Sequence, residues 1–152
     1  FYVQNPVALR IGRREPNISN GLRERIALNV MYLIGLAFRN GDPGCTTTTI
    51  ATAINIPGLT LGPVIADLES AGLISATQEE ALVPGRDLSR ITLADVLAAV
   101  RGGCATGELV QPTWSGPVDD VAGRVEAAIA GLTTGTTLSD FLDQAERRQA
   151  SA

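Results

Sequence analysis

Side chains able to do chemistry are few in this chain, and they are scattered. There is no histidine, which removes the commonest general base and the commonest metal ligand together. Asp119-Asp120 is a carboxylate pair, but it sits near the start of an expected helix, where acids favour the dipole. Glu79-Glu80 is expected at a solvated hairpin tip. Cys45 and Cys104 lack zinc-ligand spacing, and no histidine can complete a set. Two scattered cysteines fit a reduced, intracellular protein better than a disulfide scaffold, although a bridge between them stays open. Thr46–Thr49 is rich in hydroxyls, but with no base nearby it reads as a helix cap. Gly102-Gly103 lacks the Lys and Ser or Thr of a phosphate loop. The sequence thus assigns no catalytic residue, no metal site and no cofactor, and implies binding or regulation rather than an enzyme.

The arginines are the other candidates. Net charge is −4 and all 12 basic residues are arginine. Residues 1–25 hold Arg10, Arg13, Arg14, Arg23 and Arg25 against Glu15 and Glu24, a local +3, which leaves −7 for the remainder. With Phe1 and Tyr2 ahead of them, these arginines look like the flank of a transmembrane segment, aromatic at the interface and basic on the cytoplasmic side. Each arginine near anionic headgroups adds attraction of ~1 kcal/mol. The five are candidate membrane-surface contacts, with an anionic lipid surface as partner. The longest apolar run, Ile26–Phe38, is shorter than the ~20 apolar residues of a spanning helix. The chain begins with Phe1 and has no signal-peptide pattern, so it reads as a fragment or a processed product.

The elements that must position these residues follow from period and turn chemistry. Hydrophobic residues make up 45% of the chain and aromatics 4%, so the core must be aliphatic. Residues 1–20 read as an extended arm. Ser19 or Asn20 can cap a helix from near Leu22 to Phe38 that is apolar on most faces and therefore central. Asn40–Gly44 ends it. A short helix through Ile50–Ile54 is capped by one of the preceding threonines, and Asn55-Ile56-Pro57-Gly58 breaks it. A third helix spans Thr60–Ala71, with Pro63 in its first turn and Gly72 after its last. Leu73–Ser75 and Ala81–Val83 form a hairpin. Thr92 and Asp95 resemble a capping box for a helix over Leu93–Val100. Residues 104–117 read as a linker. Two more helices lie within 118–148, the last capped by Thr137, and they pack on the domain or on a second copy. The order predicts a mainly α (α+β) fold over residues 21–103: a winged helix-turn-helix with a small β-hairpin wing, plus extra C-terminal helices.

In such a fold the third helix enters the DNA major groove. Its candidate face here is Thr60, Asp67 and Glu69, with no basic residue, and the expected wing carries Glu79 and Glu80. Phosphate neutralisation supplies most affinity for DNA, so the charge pattern disfavours nucleic acid.

The start Phe1-Tyr2-Val3-Gln4-Asn5-Pro6 and the unit Leu22–Gly102 resemble the cytoplasmic tail of some YihY/BrkB membrane proteins, a family labelled ribonuclease BN-like. The residues that carry this are Leu68-Glu69-Ser70-Ala71-Gly72-Leu73-Ile74, Ser89 to Leu97, Ile129-Ala130-Gly131-Leu132 and Thr137 to Leu142. The resemblance implies a transmembrane region before Phe1 as a partner within the parent chain, and a place at the cytoplasmic face of the inner membrane. It implies a non-catalytic interaction or regulatory domain that can pair as a homodimer. The ribonuclease label, which would imply tRNA processing, finds no matching residues here. The same motifs are similar to the iron–sulfur winged-helix repressors of the IscR type, which implies DNA binding. Those repressors carry clustered cysteines after the helix equivalent to Leu93–Val100, where this chain has Cys104 alone.

Overall fold

Why each helix starts and stops where it does is visible in its capping side chains. A computed structural model describes residues 19–42, 45–102, 113 and 115–152. Helix α1, Asn20–Arg39, is capped by Ser19, whose hydroxyl accepts from the Leu22 amide at 3.3 Å. Gly41 follows its end at φ +70°, a conformation that glycine adopts without strain. Helix α2, Thr47–Ile54, begins in a capping box between Thr46 and Thr49. Asn55, left-handed at φ 54°, ends it.

Helix α3, Gly58–Ser70, starts two residues before the expected Thr60. Pro63 therefore lies inside the helix and not in its first turn. Its ring nitrogen cannot donate to the carbonyl four residues back. Pro57, its N-cap, lies outside the helical region at φ −58° and ψ 141°, and the helix runs from the next residue.

The wing pairs β1, Ile74–Ala76, with β2, Leu82–Pro84, antiparallel, in the register Ile74↔Pro84, Ser75↔Val83 and Ala76↔Leu82. Both strands lie one residue later than the sequence suggests, because Leu73 is used to close α3. Its amide donates to Leu68 O at 3.0 Å, after Gly72 turns at φ +72°. Arg86 adds a further bond from Nη2 to Ala71 O at 3.1 Å. Gly85 must be glycine, since a Cβ there would sit 2.4 Å from the Gly72 carbonyl oxygen.

Helix α4, Leu93–Gly102, is capped by Thr92 and Asp95, which exchange bonds at 3.0 and 3.1 Å. Helices α5, Gly116–Thr133, and α6, Leu138–Ala150, complete the chain. The core is aliphatic. Met31 and Ile34 of α1, Leu61 and Leu68 of α3, Val96 of α4, and Leu138 and Leu142 of α6 are all at 0% exposure. The chain thus has the winged-helix order, mainly helical with one two-stranded antiparallel sheet.

Candidate functional site

The α2–turn–α3 unit presents a face that no other described element covers. Thr48, Thr52, Asn55, Pro57 and Gly58 are exposed along it, and Leu59 is 85% exposed at the start of α3. This face carries hydroxyls, one amide and backbone, but no charge. The α3 N-cap, Pro57, makes no side-chain cap bond, so the first amides of the helix have no side-chain acceptor at that cap. Hydroxyls and helix N-termini are groups that contact phosphates in nucleic-acid complexes, though they bring no net charge.

The three residues expected on the face of this helix separate in space. Thr60 is half-buried and Glu69 is exposed. Asp67 turns toward α1, where its carboxylate pairs with Arg23 at 2.5 Å, the two side chains 18% and 19% exposed. The helix is therefore less acidic at its surface than its sequence, with Glu69 its remaining free carboxylate. Glu79 and Glu80 lie exposed at the hairpin tip, Glu80 at φ 61°.

The arginine group also separates. Arg23 is held in its ion pair with Asp67, whereas Arg25 is exposed. Arg10, Arg13 and Arg14 lie outside the described residues, as do Cys104 and most of 104–117. Cys45 is half-buried beside the wing, and its carbonyl accepts from the Leu82 amide at 2.7 Å. Burial pushes its thiol above the ordinary value, helped by the Asp42 carboxylate. It is protonated at neutral pH and a poor nucleophile. Among the described residues no group of three His, Cys, Asp or Glu side chains is placed to hold a metal ion, and no helix is long and apolar enough to cross a membrane.

The two C-terminal helices differ sharply. α6 enters the core through Leu138 and Leu142. α5 has no buried residue, and Val118, Val121, Val125 and Leu132 are 55%, 57%, 53% and 78% exposed. They lie at helical spacing on one stripe, with Ile129 beside them. An apolar stripe of this kind in water marks an interface.

Sequence reasoning missed a cleft between α1 and α6. Its residues repeat at i, i+3, i+4 and i+7 on each helix: Arg25, Leu28, Asn29 and Tyr32 on α1, and Phe141, Gln144, Ala145 and Arg148 on α6. The signal available in the sequence was a stripe on each helix that mixes polar ends with an apolar middle.

Comparison with known proteins bears on the fold first. No family model matches the chain. A UPF0761 membrane protein of Rhodospirillum rubrum is 33% identical over 93 residues, which is 60% of this chain and 21% of that protein. The chain thus spans about a fifth of the length of that relative. Among solved structures, IscR of T. potens matches with a TM-score of 0.67 at 21% identity, covering 88% of this chain and 91% of that one. CymR, the global cysteine regulator of B. subtilis, matches at 0.61 and 23% identity over 84% and 97%. The oxidised form of Staphylococcus aureus CymR matches at 0.62 and 19% identity over 82% and 96%. The fold of this chain is that of these winged-helix regulators, and 93 of its residues are similar to part of a membrane protein.

Proposed function

We propose that this chain is a non-catalytic, winged-helix regulatory domain that acts as a two-fold dimer and binds its partner through the α2–turn–α3 face. The observation that carries this is the geometry of that face: a helix-turn-helix unit, uncovered and beside a wing, on a fold shared over most of its length with IscR and CymR. The exposed stripe of α5 supports the dimer. About Val125 the stripe reads alike in both directions, Val118 mirroring Leu132 and Val121 mirroring Ile129. Two-fold pairing is the commonest form of association.

The fold likeness makes duplex DNA the first candidate partner, and the Arg23–Asp67 pair removes one of the charges that would oppose it. Contact through hydroxyls and backbone neutralises few phosphates. Binding then falls with salt at a shallow slope, each neutralised phosphate contributing about 0.9. A second reading keeps the same fold at the cytoplasmic face of the inner membrane, as a domain of a larger membrane protein with the arginine arm on anionic lipid. The Rhodospirillum rubrum relative favours it.

The test uses the full chain at several salt concentrations, with mixed-sequence duplex in one arm and anionic lipid vesicles in the other. Duplex binding lost on changing Thr48 and Thr52 to Ala supports the first reading. Vesicle binding lost on changing Arg10, Arg13 and Arg14 to Ala, with no duplex binding, supports the second and overturns the first.

A further inference from the structure

We propose that the α1–α6 cleft is a binding site for a small organic anion with an aromatic or bulky apolar body. The proposal is independent of what the α2–turn–α3 face binds. The cleft has a volume of about 480 Å³, within the ~300–1,000 Å³ typical of small-molecule sites. Its floor is aromatic and apolar. Tyr32 and Phe141 meet edge to face, ring centroids 5.7 Å apart and planes at 72°, and Leu28 and Ala145 extend the same surface.

The rim is cationic. Arg25 on α1 and Arg148 on α6 are exposed, and neither guanidinium has an ion-pair partner among the described residues. Both therefore stand ready to meet an anion, whereas Arg23, Arg39 and Arg101 hold carboxylates. On each helix the arginine stands seven residues from the aromatic, two turns or about 10 Å along the axis. A ligand whose charged group lies at one end and whose ring lies at the other fits this separation. Guanidinium is the side chain suited to a planar carboxylate, which it can hold by two parallel bonds. The amides of Asn29 and Gln144 stand next to the arginines and offer donors to the same group. Nothing acidic lines the cleft, so an anion meets no opposing charge there.

The test is a titration of the full chain with naphthalene-2-carboxylate, followed by amide and aromatic NMR shifts. Two further arms use the neutral naphthalene-2-carboxamide and inorganic phosphate. Saturable shifts confined to α1 and α6 are expected with the carboxylate. The carboxamide is expected to bind at least about tenfold more weakly, the scale of charge-assisted hydrogen bonds, and phosphate to produce no shift at Tyr32 or Phe141. Changing Arg25 and Arg148 together to Ala is expected to weaken the carboxylate at least about tenfold and leave thermal unfolding unchanged, because both side chains are exposed. Ala145→Phe fills the cleft and is expected to abolish binding with both arginines in place. No saturable shift, equal binding of acid and amide, or full binding by the double arginine variant each overturns the proposal.

Discussion

Helices α5 and α6 are neighbours in sequence, similar in apolar spacing, and opposite in fate. α6 is sewn into the domain at its first residues. The Leu138 amide donates to Ile91 O at 2.7 Å, the Ser139 amide to Leu88 O at 3.2 Å, and the Leu93 amide returns to Thr136 O at 3.0 Å. Thr92 and Thr137 form an isolated antiparallel bridge. Leu138 and Leu142 then close on Gly35 of α1, where a Cβ would lie 3.1 Å from Leu142 Cδ1. Arg39 locks the far side, bonded to Asp143 at 2.8 Å; that bond raises its pKa further. α5 has none of these ties. Apolar periodicity says that a face seeks cover. What covers it is decided by hydrogen bonds and by the space a glycine leaves open.

The difference can be broken at several points, with effects of decreasing size. Leu142→Ala should cost about 2–5 kcal/mol in urea unfolding, as burial-to-cavity changes do. Val125→Ala on α5 should cost under about 0.5 kcal/mol in the monomer. Equal losses in the monomer would mean that α5 packs on its own domain as α6 does. Gly35→Val inserts a branched side chain between α1 and α6 and should cost about 1–3 kcal/mol through overpacking. Gly123→Ala on α5 meets nothing within 4 Å and should gain about 0.5–1 kcal/mol from helix propensity. A loss at Gly123 would show a neighbour against α5. Thr137→Ala removes the α6 cap and should cost about 1 kcal/mol, read in the same unfolding assay.

The smallest effect is one of pH. The Thr137 amide and hydroxyl bond the Asp140 carboxylate, the amide mattering most, and hold it below the usual carboxylate range. A depressed folded pKa gives stability that is present above the unfolded value, about 3.9, and lost as pH falls through the folded one. Acidification below about pH 4 should therefore weaken the attachment of α6. Asp140→Asn should remove that part of the pH dependence, and an unchanged acid limb would refute the assignment.

Much of the fold could be read locally. Ser19, Thr46, Thr92 and Thr137 announce the starts of four helices because a cap is a contact within three residues, and Gly72 announces an end because its backbone turns left-handed. The strands were displaced by one residue because Leu73 serves two elements. The candidate site was far less legible. Arg23 and Asp67 are 44 residues apart in sequence, and no pattern on either helix shows that they meet. Sequence therefore placed Asp67 on the surface of α3 when packing takes it to α1. Tyr32 and Phe141 stood in two separate stripes whose shared cleft exists only once α6 has docked.

The most direct test of the account is the mass of the full chain in solution by sedimentation equilibrium, beside a Val121→Glu, Val125→Glu variant, with circular dichroism on both. A dimer that the variant converts to a folded monomer of unchanged helix content is expected. A native chain that stays monomeric at high concentration, or a variant that stays dimeric, would contradict the assignment of α5 as the pairing surface and the two-fold regulator built on it.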